Sequence, residues 1–137
     1  MSTEHILRQF LLMERKLAYK TNNLFCLSFD LTLSQWKVMA YLEKFGTSTL
    51  VGISNYLAIE KPSVTRTIAR LEDKQLVERV LGQDKREKRV QLTGSGKTLF
   101  RECQNTLDGI EFQLLNGISA EEQSILLQLL IKIQGNL

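Results

Sequence analysis

The sequence predicts a mainly α fold: a winged helix-turn-helix with a two-stranded β-wing, flanked by N- and C-terminal helices. Three observations predict it. Apolar residues recur at three- and four-residue steps along most of the chain. Two of these periodic segments are short and joined by a tight connection at Ala58-Ile59-Glu60, the pattern of a helix-turn-helix. Directly after them the period falls to about two, in two runs around the polar tip Gly82-Gln83-Asp84-Lys85-Arg86-Glu87.

Each element follows from local chemistry. Between Glu4 and Phe29, Ile6, Phe10, Met13, Leu17 and Leu24 trace the apolar stripe of a long amphipathic helix. Thr32-Leu33-Ser34-Gln35 is a capping box, with a Thr oxygen for a free N–H and a Gln that reaches back. It opens a helix over Leu33–Phe45 that Gly46 stops. After Thr47-Ser48-Thr49, the apolar residues Leu50, Ile53 and Leu57 predict a short helix. Pro62 fits the first turn of the next, where its missing N–H has no helical partner anyway. Val64, Ile68 and Leu71 form the inner face of that helix, and Ser63, Arg66, Thr67 and Arg70 lie off it. Val77–Leu81 and Lys88–Leu92 read as the strands of a hairpin, the wing. Thr93 caps a helix that runs to Leu114, and Asn116-Gly117 stops it. Ser119-Ala120-Glu121-Glu122 is a second capping box, opening a last helix with Ile125, Leu126, Leu129, Leu130 and Ile133.

Composition excludes several classes. The chain has 137 residues, 43% of them apolar and 24% charged, which is ordinary for a globular domain and unlike a disordered one. Its apolar runs are short, and Gln128 already breaks Ile125 to Ile131, so no membrane association is expected. No basic start followed by an apolar block opens the chain, so no signal peptide is expected and the cytoplasm is the default location. Cys26, Cys103 and His5 are too few and too far apart for a disulfide framework or a metal site. No Ser/His/Asp set or paired carboxylate suggests an enzyme, and no cofactor is expected. Gly94-Ser95-Gly96-Lys97-Thr98 invites a phosphate-loop reading, but the Gly required five residues before Gly96 is Gln91.

Charge is unevenly distributed. From Glu60 to Arg101 there are 11 Lys and Arg against 6 acids, a local +5, while the remainder carries −2. A basic centre suits a polyanion. The major groove of DNA admits a helix whose N-terminal side chains reach base edges. Lys61, Pro62, Ser63, Thr65, Arg66 and Arg70 occupy the corresponding part of the second short helix, and most are hydrogen-bonding types. Lys85, Arg86, Lys88 and Arg89 crowd the wing, where an Arg can enter a narrow, electronegative minor groove. Lys97, at a helix start, suits a phosphate. The alternative is a winged-helix module that binds protein and not DNA, and a steep salt dependence distinguishes the two.

These residues resemble the multiple-antibiotic-resistance regulator (MarR) family of bacterial transcription factors over nearly the whole chain. Leu31-Thr32-x-x-Gln35-Trp36 is similar to the opening of that family's second helix, and Ser63-Val64-Thr65-Arg66 to its recognition helix. Leu71-Glu72 and Leu76-Val77-x-Arg79 follow in the family's order. Asp84-Lys85-Arg86-Glu87-Lys88-Arg89 resembles its wing, and Val90-x-Leu92-Thr93-x-x-Gly96 the segment after it. There are departures: Gln75 replaces the usual Gly, so the helix end is open to differ there. Glu87 stands where Asp or Asn is commoner, and Gly52-Ile53-Ser54 where Glu-Leu-Ala is favoured.

The resemblance implies a homodimer on double-stranded palindromic operator DNA, acting as a repressor that a small molecule or other signal releases. Residues 1–31 would be an N-terminal dimerisation helix, 32–93 the DNA-binding lobe and 94–137 the C-terminal dimerisation helices. The apolar surplus of the terminal helices agrees, because a winged helix of about 60 residues cannot cover it. A monomer with its ends folded onto its own core is the competing arrangement. An aromatic or lipophilic effector is also implied, with Phe25, Phe29, Trp36, Met39 and Phe100 as candidate walls; taken singly, each reads as plain core in preference to a pocket wall. Cys26, between Phe25 and Leu27 with no basic neighbour in sequence, reads as a buried structural thiol.

Overall fold

The computed structural model describes residues 5–81 and 88–137. It contains α1 (Ile6–Phe29), α2 (Leu33–Phe45), β1 (Ser48–Thr49), α3 (Leu50–Leu57), α4 (Lys61–Asp73), β2 (Val77–Val80), β3 (Arg89–Leu92), α5 (Gly94–Leu114) and α6 (Ala120–Gln134). Two compact units divide the chain, one reaching Cys103 and the other formed by Gln104–Leu137.

The first unit holds a winged helix-turn-helix, and its core is drawn from every element around it. Phe25, Leu31, Val38, Met39, Ile53, Val64, Ile68, Leu71 and Val90 are all buried. Each contributes roughly 1.5–3 kcal/mol relative to exposure. The α2 start forms as its sequence predicts. Thr32 Oγ1 accepts from the Gln35 N–H at 3.1 Å, and Gln35 Oε1 accepts from the Thr32 N–H at 3.1 Å. Gly46, at φ 74°, ends α2.

The sheet contains the expected two-stranded wing, β2 and β3, and adds a third strand that was not expected. It has three antiparallel strands in the order β1-β3-β2. Ser48 pairs with Val90 and Thr49 with Arg89, while Val77 to Val80 pair with Leu92 to Arg89. A strand of two residues is too short to carry a period, so Thr47-Ser48-Thr49 looks like a connection until β3 is beside it. Both wing strands are also one residue shorter than expected, since Leu81 and Lys88 lie outside the ladder and are exposed. The expected start of the first helix at Glu4 and the tip from Gly82 to Glu87 lie outside the described residues.

In the second unit, Ser119 Oγ accepts from the Glu122 N–H at 3.1 Å and the Glu122 carboxylate accepts from the Ser119 N–H at 2.9 Å. These bonds to the charged form hold the Glu122 carboxyl below the usual carboxylate range. The helix they start, α6, buries none of its residues within the chain. Among the described residues, no helix is long and apolar enough to cross a membrane.

Candidate nucleic-acid interface

The geometry of α4 separates its two faces completely. Val64, Ile68 and Leu71 point into the core. Lys61, Pro62, Thr65, Arg66 and Arg70 are exposed, and Ser63 is half-buried. The polar face is internally ordered. Arg66 donates from its guanidinium to Ser63 Oγ at 3.2 Å, and Thr65 Oγ1 donates back to the Lys61 carbonyl at 3.1 Å. Thr67 Oγ1 does the same to the Ser63 carbonyl at 2.9 Å. The hydroxyl oxygens keep acceptor capacity, and Arg66 keeps most of its five donors.

The end of α4 settles the departure at Gln75. Gln75 adopts φ 61°, the left-handed conformation that glycine takes most readily. Its N–H reaches the Glu72 carbonyl at 2.9 Å, and the Leu76 N–H reaches the Leu71 carbonyl at 3.0 Å. The two bonds form a Schellman stop in spite of the Cβ. Asp30 and Ala58 end α1 and α3 in the same left-handed region, at φ 52° and 54°.

Beyond that stop the backbone returns as β2 and β3 beside the start of α4. Lys61, Thr65, Arg79 and Lys88 line one open hollow of about 530 Å³, together with Thr49, Leu50 and Val51. Three cationic side chains, from α4, from β2 and from the residue before β3, therefore converge on one face. Arg79 is also tied to Glu72, Nε to Oε2 at 3.3 Å. Of the sequence candidates, the fold brings Lys61, Thr65 and Lys88 together, and Ser63, Arg66 and Arg70 lie on the same helix. Arg89 is half-buried in β3, and Lys97 is exposed on the first turn of α5. Lys85 and Arg86 lie outside the described residues. Arg79 and Thr49 were not among the candidates. Period two puts Arg79 on the same face of β2 as buried Val77, so alternation does not single it out, and its position beside Lys88 comes only from the register Arg79↔Val90.

The candidate effector walls form a chain of rings. Phe25 contacts Phe29 and Trp36, each with centroids 5.9 Å apart, and Trp36 stacks on Phe100 at 6.1 Å. Phe25 and Met39 are fully buried, while Phe29, Trp36 and Phe100 are half-buried. Among the described residues, Trp36 Nε1 is the buried side-chain polar atom without a hydrogen-bond partner.

The cysteines differ from expectation in one case. Cys103 is buried, and burial first, then the Glu102 charge, raises its thiol to about 11. Cys26 is exposed within the single chain, which corrects the expected burial. Its apolar sequence neighbours point in different directions around α1: Phe25 turns inward and Leu27 outward. Thr93 caps α5, accepting from the Gly96 N–H at 3.0 Å, in keeping with a capping role for this segment.

Comparison with known proteins was consistent with these observations. The sequence model of the MarR family matches residues 29–87. The uncharacterized HTH-type transcriptional regulator YwoH of Bacillus subtilis (strain 168) is 37% identical over 119 residues, covering 87% of this chain and 86% of YwoH. The S. aureus MepR–DNA complex superposes with a TM-score of 0.83 at 26% identity, covering 97% of this chain and 98% of that one. A cysteine-to-serine mutant of E. coli MarR complexed with operator DNA gives a TM-score of 0.80 at 26% identity, covering 92% and 91%.

Proposed function

Because the chain belongs to the MarR family, we propose that it is a transcriptional regulator that binds double-stranded palindromic operator DNA as a homodimer and represses until an effector releases it. The observation that carries the reading is the shared face of α4 and the wing, where Lys61, Arg79 and Lys88 converge beside Thr65. Ser63, Thr65, Arg66 and Arg70 read base edges in the major groove. Lys61, Pro62, Lys88, Arg89 and Lys97 position the duplex through its backbone, and Lys85 and Arg86, from the sequence alone, extend the wing into the minor groove. The protein is not an enzyme and acts in the cytoplasm.

The unpartnered apolar surface supports dimerisation. Ile6, Leu7 and Leu11 of α1 are each more than 60% exposed. In the second unit Ile125, Leu126, Leu129 and Ile133 of α6 are between 39% and 56% exposed. In this reading residues 1–31 and 94–137 form the dimer contacts and residues 32–93 the DNA-binding lobe.

An aromatic or lipophilic effector with a hydrogen-bond acceptor would satisfy Trp36 Nε1 between Phe25, Phe29, Met39 and Phe100. Trp36 is the chain's single Trp, so its fluorescence reports such binding directly.

Selection of bound DNA from a random duplex pool tests the function. Two inverted half-sites about one helical turn apart are expected, with affinity falling steeply as salt rises. No enriched sequence, or affinity indifferent to salt, would overturn the reading in favour of a protein-interaction module.

A further inference from the structure

Lys74, the residue that caps α4, is not on the basic face, and its ammonium is engaged elsewhere. It donates to the backbone carbonyl of Asp30 and, at 3.3 Å, to Gln35 Oε1. The Asp30 carboxylate stands 3.9 Å away. Asp30 is the left-handed residue that ends α1, and Gln35 is the buried residue that closes the α2 capping box. Gln35 Oε1 thus serves the Thr32 N–H and the Lys74 ammonium together. The same corner is tied once more, by the Leu33 N–H to Asn22 Oδ1 of α1 at 2.8 Å. On the other side of the α4 stop, Thr93 Oγ1 donates to the Gln75 carbonyl at 2.7 Å and the Thr93 N–H to the Leu76 carbonyl at 3.0 Å. The end of α4 is therefore held between the α1–α2 corner and the start of α5.

We propose that Lys74 is a positioning residue that fixes the angle of α4 by bridging its C-terminus to the α1–α2 corner, without touching DNA itself. Two oxygens that no apolar side chain can satisfy, one a helix-terminal carbonyl and one a buried amide, make the bridge directional. A Lys with three donors on a flexible stem spans the gap where a shorter residue cannot. If α1 and α5 carry dimer contacts, as proposed above, the bonds of Lys74 and Thr93 link those contacts to the DNA-reading face of α4.

The inference rests on the DNA-binding reading, and the experiment separates the two. Anisotropy titrations of the full chain use the selected operator, a salt series, and operators with one base pair added or removed between half-sites. Lys74→Met should weaken operator binding by about tenfold. The slope of log affinity against log salt should stay unchanged, and the penalty for altered spacing should shrink. Lys74→Arg, which keeps the charge and the donors, should restore most of the affinity and the spacing preference. Lys74→Gln, too short to span the gap, should repeat the Met result and replaces it should the Met variant lose its cooperative melt. A slope lower by about 0.9 would make Lys74 a phosphate contact. Unchanged affinity and spacing preference in Lys74→Met would remove the bridge from the mechanism. Wild-type chain that binds no duplex would sink the DNA-binding reading instead.

Discussion

Gly96→Ala is the sharpest perturbation that this fold offers. A Cβ at Gly96 would lie 2.1 Å from the Leu76 carbonyl oxygen, 3.1 Å from its carbon and 3.3 Å from Leu92 Cδ2. The first contact must open by about 0.9 Å to reach even the closest separations that real side chains tolerate. The two nearest atoms, both of Leu76, are backbone and not a flexible side-chain tip. The Leu76 carbonyl also accepts the Thr93 N–H at 3.0 Å, and Gly96 donates to Thr93 Oγ1. Opening the contact therefore stretches the bonds that join the start of α5 to the end of α4. Overpacking of this kind costs roughly 1–3 kcal/mol, and a buried N–H left unpaired costs about 1–3 kcal/mol more. We expect Gly96→Ala to lose at least about 2 kcal/mol in urea melts. Operator affinity should fall too, because α4 is displaced. Gly94→Ala is the control, since a Cβ there meets nothing within 4 Å. A Gly96→Ala protein with wild-type stability and affinity would refute the close-approach argument.

Other outcomes follow from the same contacts. Ser63→Ala and Arg66→Ala should flatten discrimination among single-base operator variants by roughly 1–3 kcal/mol, whereas Lys97→Ala should weaken all variants alike; equal losses for all three would contradict the division. Leu129→Asp with Ile133→Asp should give a monomer or an insoluble chain by sedimentation, with DNA affinity falling alongside, and a double mutant that stays dimeric would place the interface elsewhere. Gln75→Gly should stabilise by up to about 1 kcal/mol in thermal melts, by removing a Cβ from a left-handed cap, and a loss of stability would contradict the strain. The Cys103 thiol is raised from its ordinary value near 9 to about 11, so the unfolded chain ionises first. Stability should therefore be intact below pH about 9 and fall between pH 9 and 11. Cys103→Ser should abolish that part of the fall, and an identical alkaline profile in the variant would exclude the thiol as its source.

Much of the arrangement was legible because it is written in short-range chemistry. The Thr32–Gln35 and Ser119–Glu122 boxes need only residues three apart, and both form. The stripe Val64, Ile68 and Leu71 needs only the helical period, and all three are buried. Gly46 stops α2 by the same local logic. What stayed illegible depends on partners distant in sequence. Cys26 reads as buried from its neighbours, but the helix turns it outward, because flanking residues on a helix occupy different faces. Arg79 joins Lys61 and Lys88 only once the strands register.

By itself, then, the sequence determined the helices, their caps, the order helix-turn-helix then wing, and the polar face of α4. Period and capping are properties of neighbouring residues, and they survive without any tertiary contact. The tertiary structure alone decided the third strand, where Ser48 and Thr49 gain β structure by pairing with Val90 and Arg89. It alone decided that Lys74 would lie against Asp30 and Gln35, and that Gly96 has no room for a side chain beside Leu76. These contacts join residues 20 to 44 positions apart. No local preference encodes such a distance, and only the packing of the helices on one another brings the atoms together.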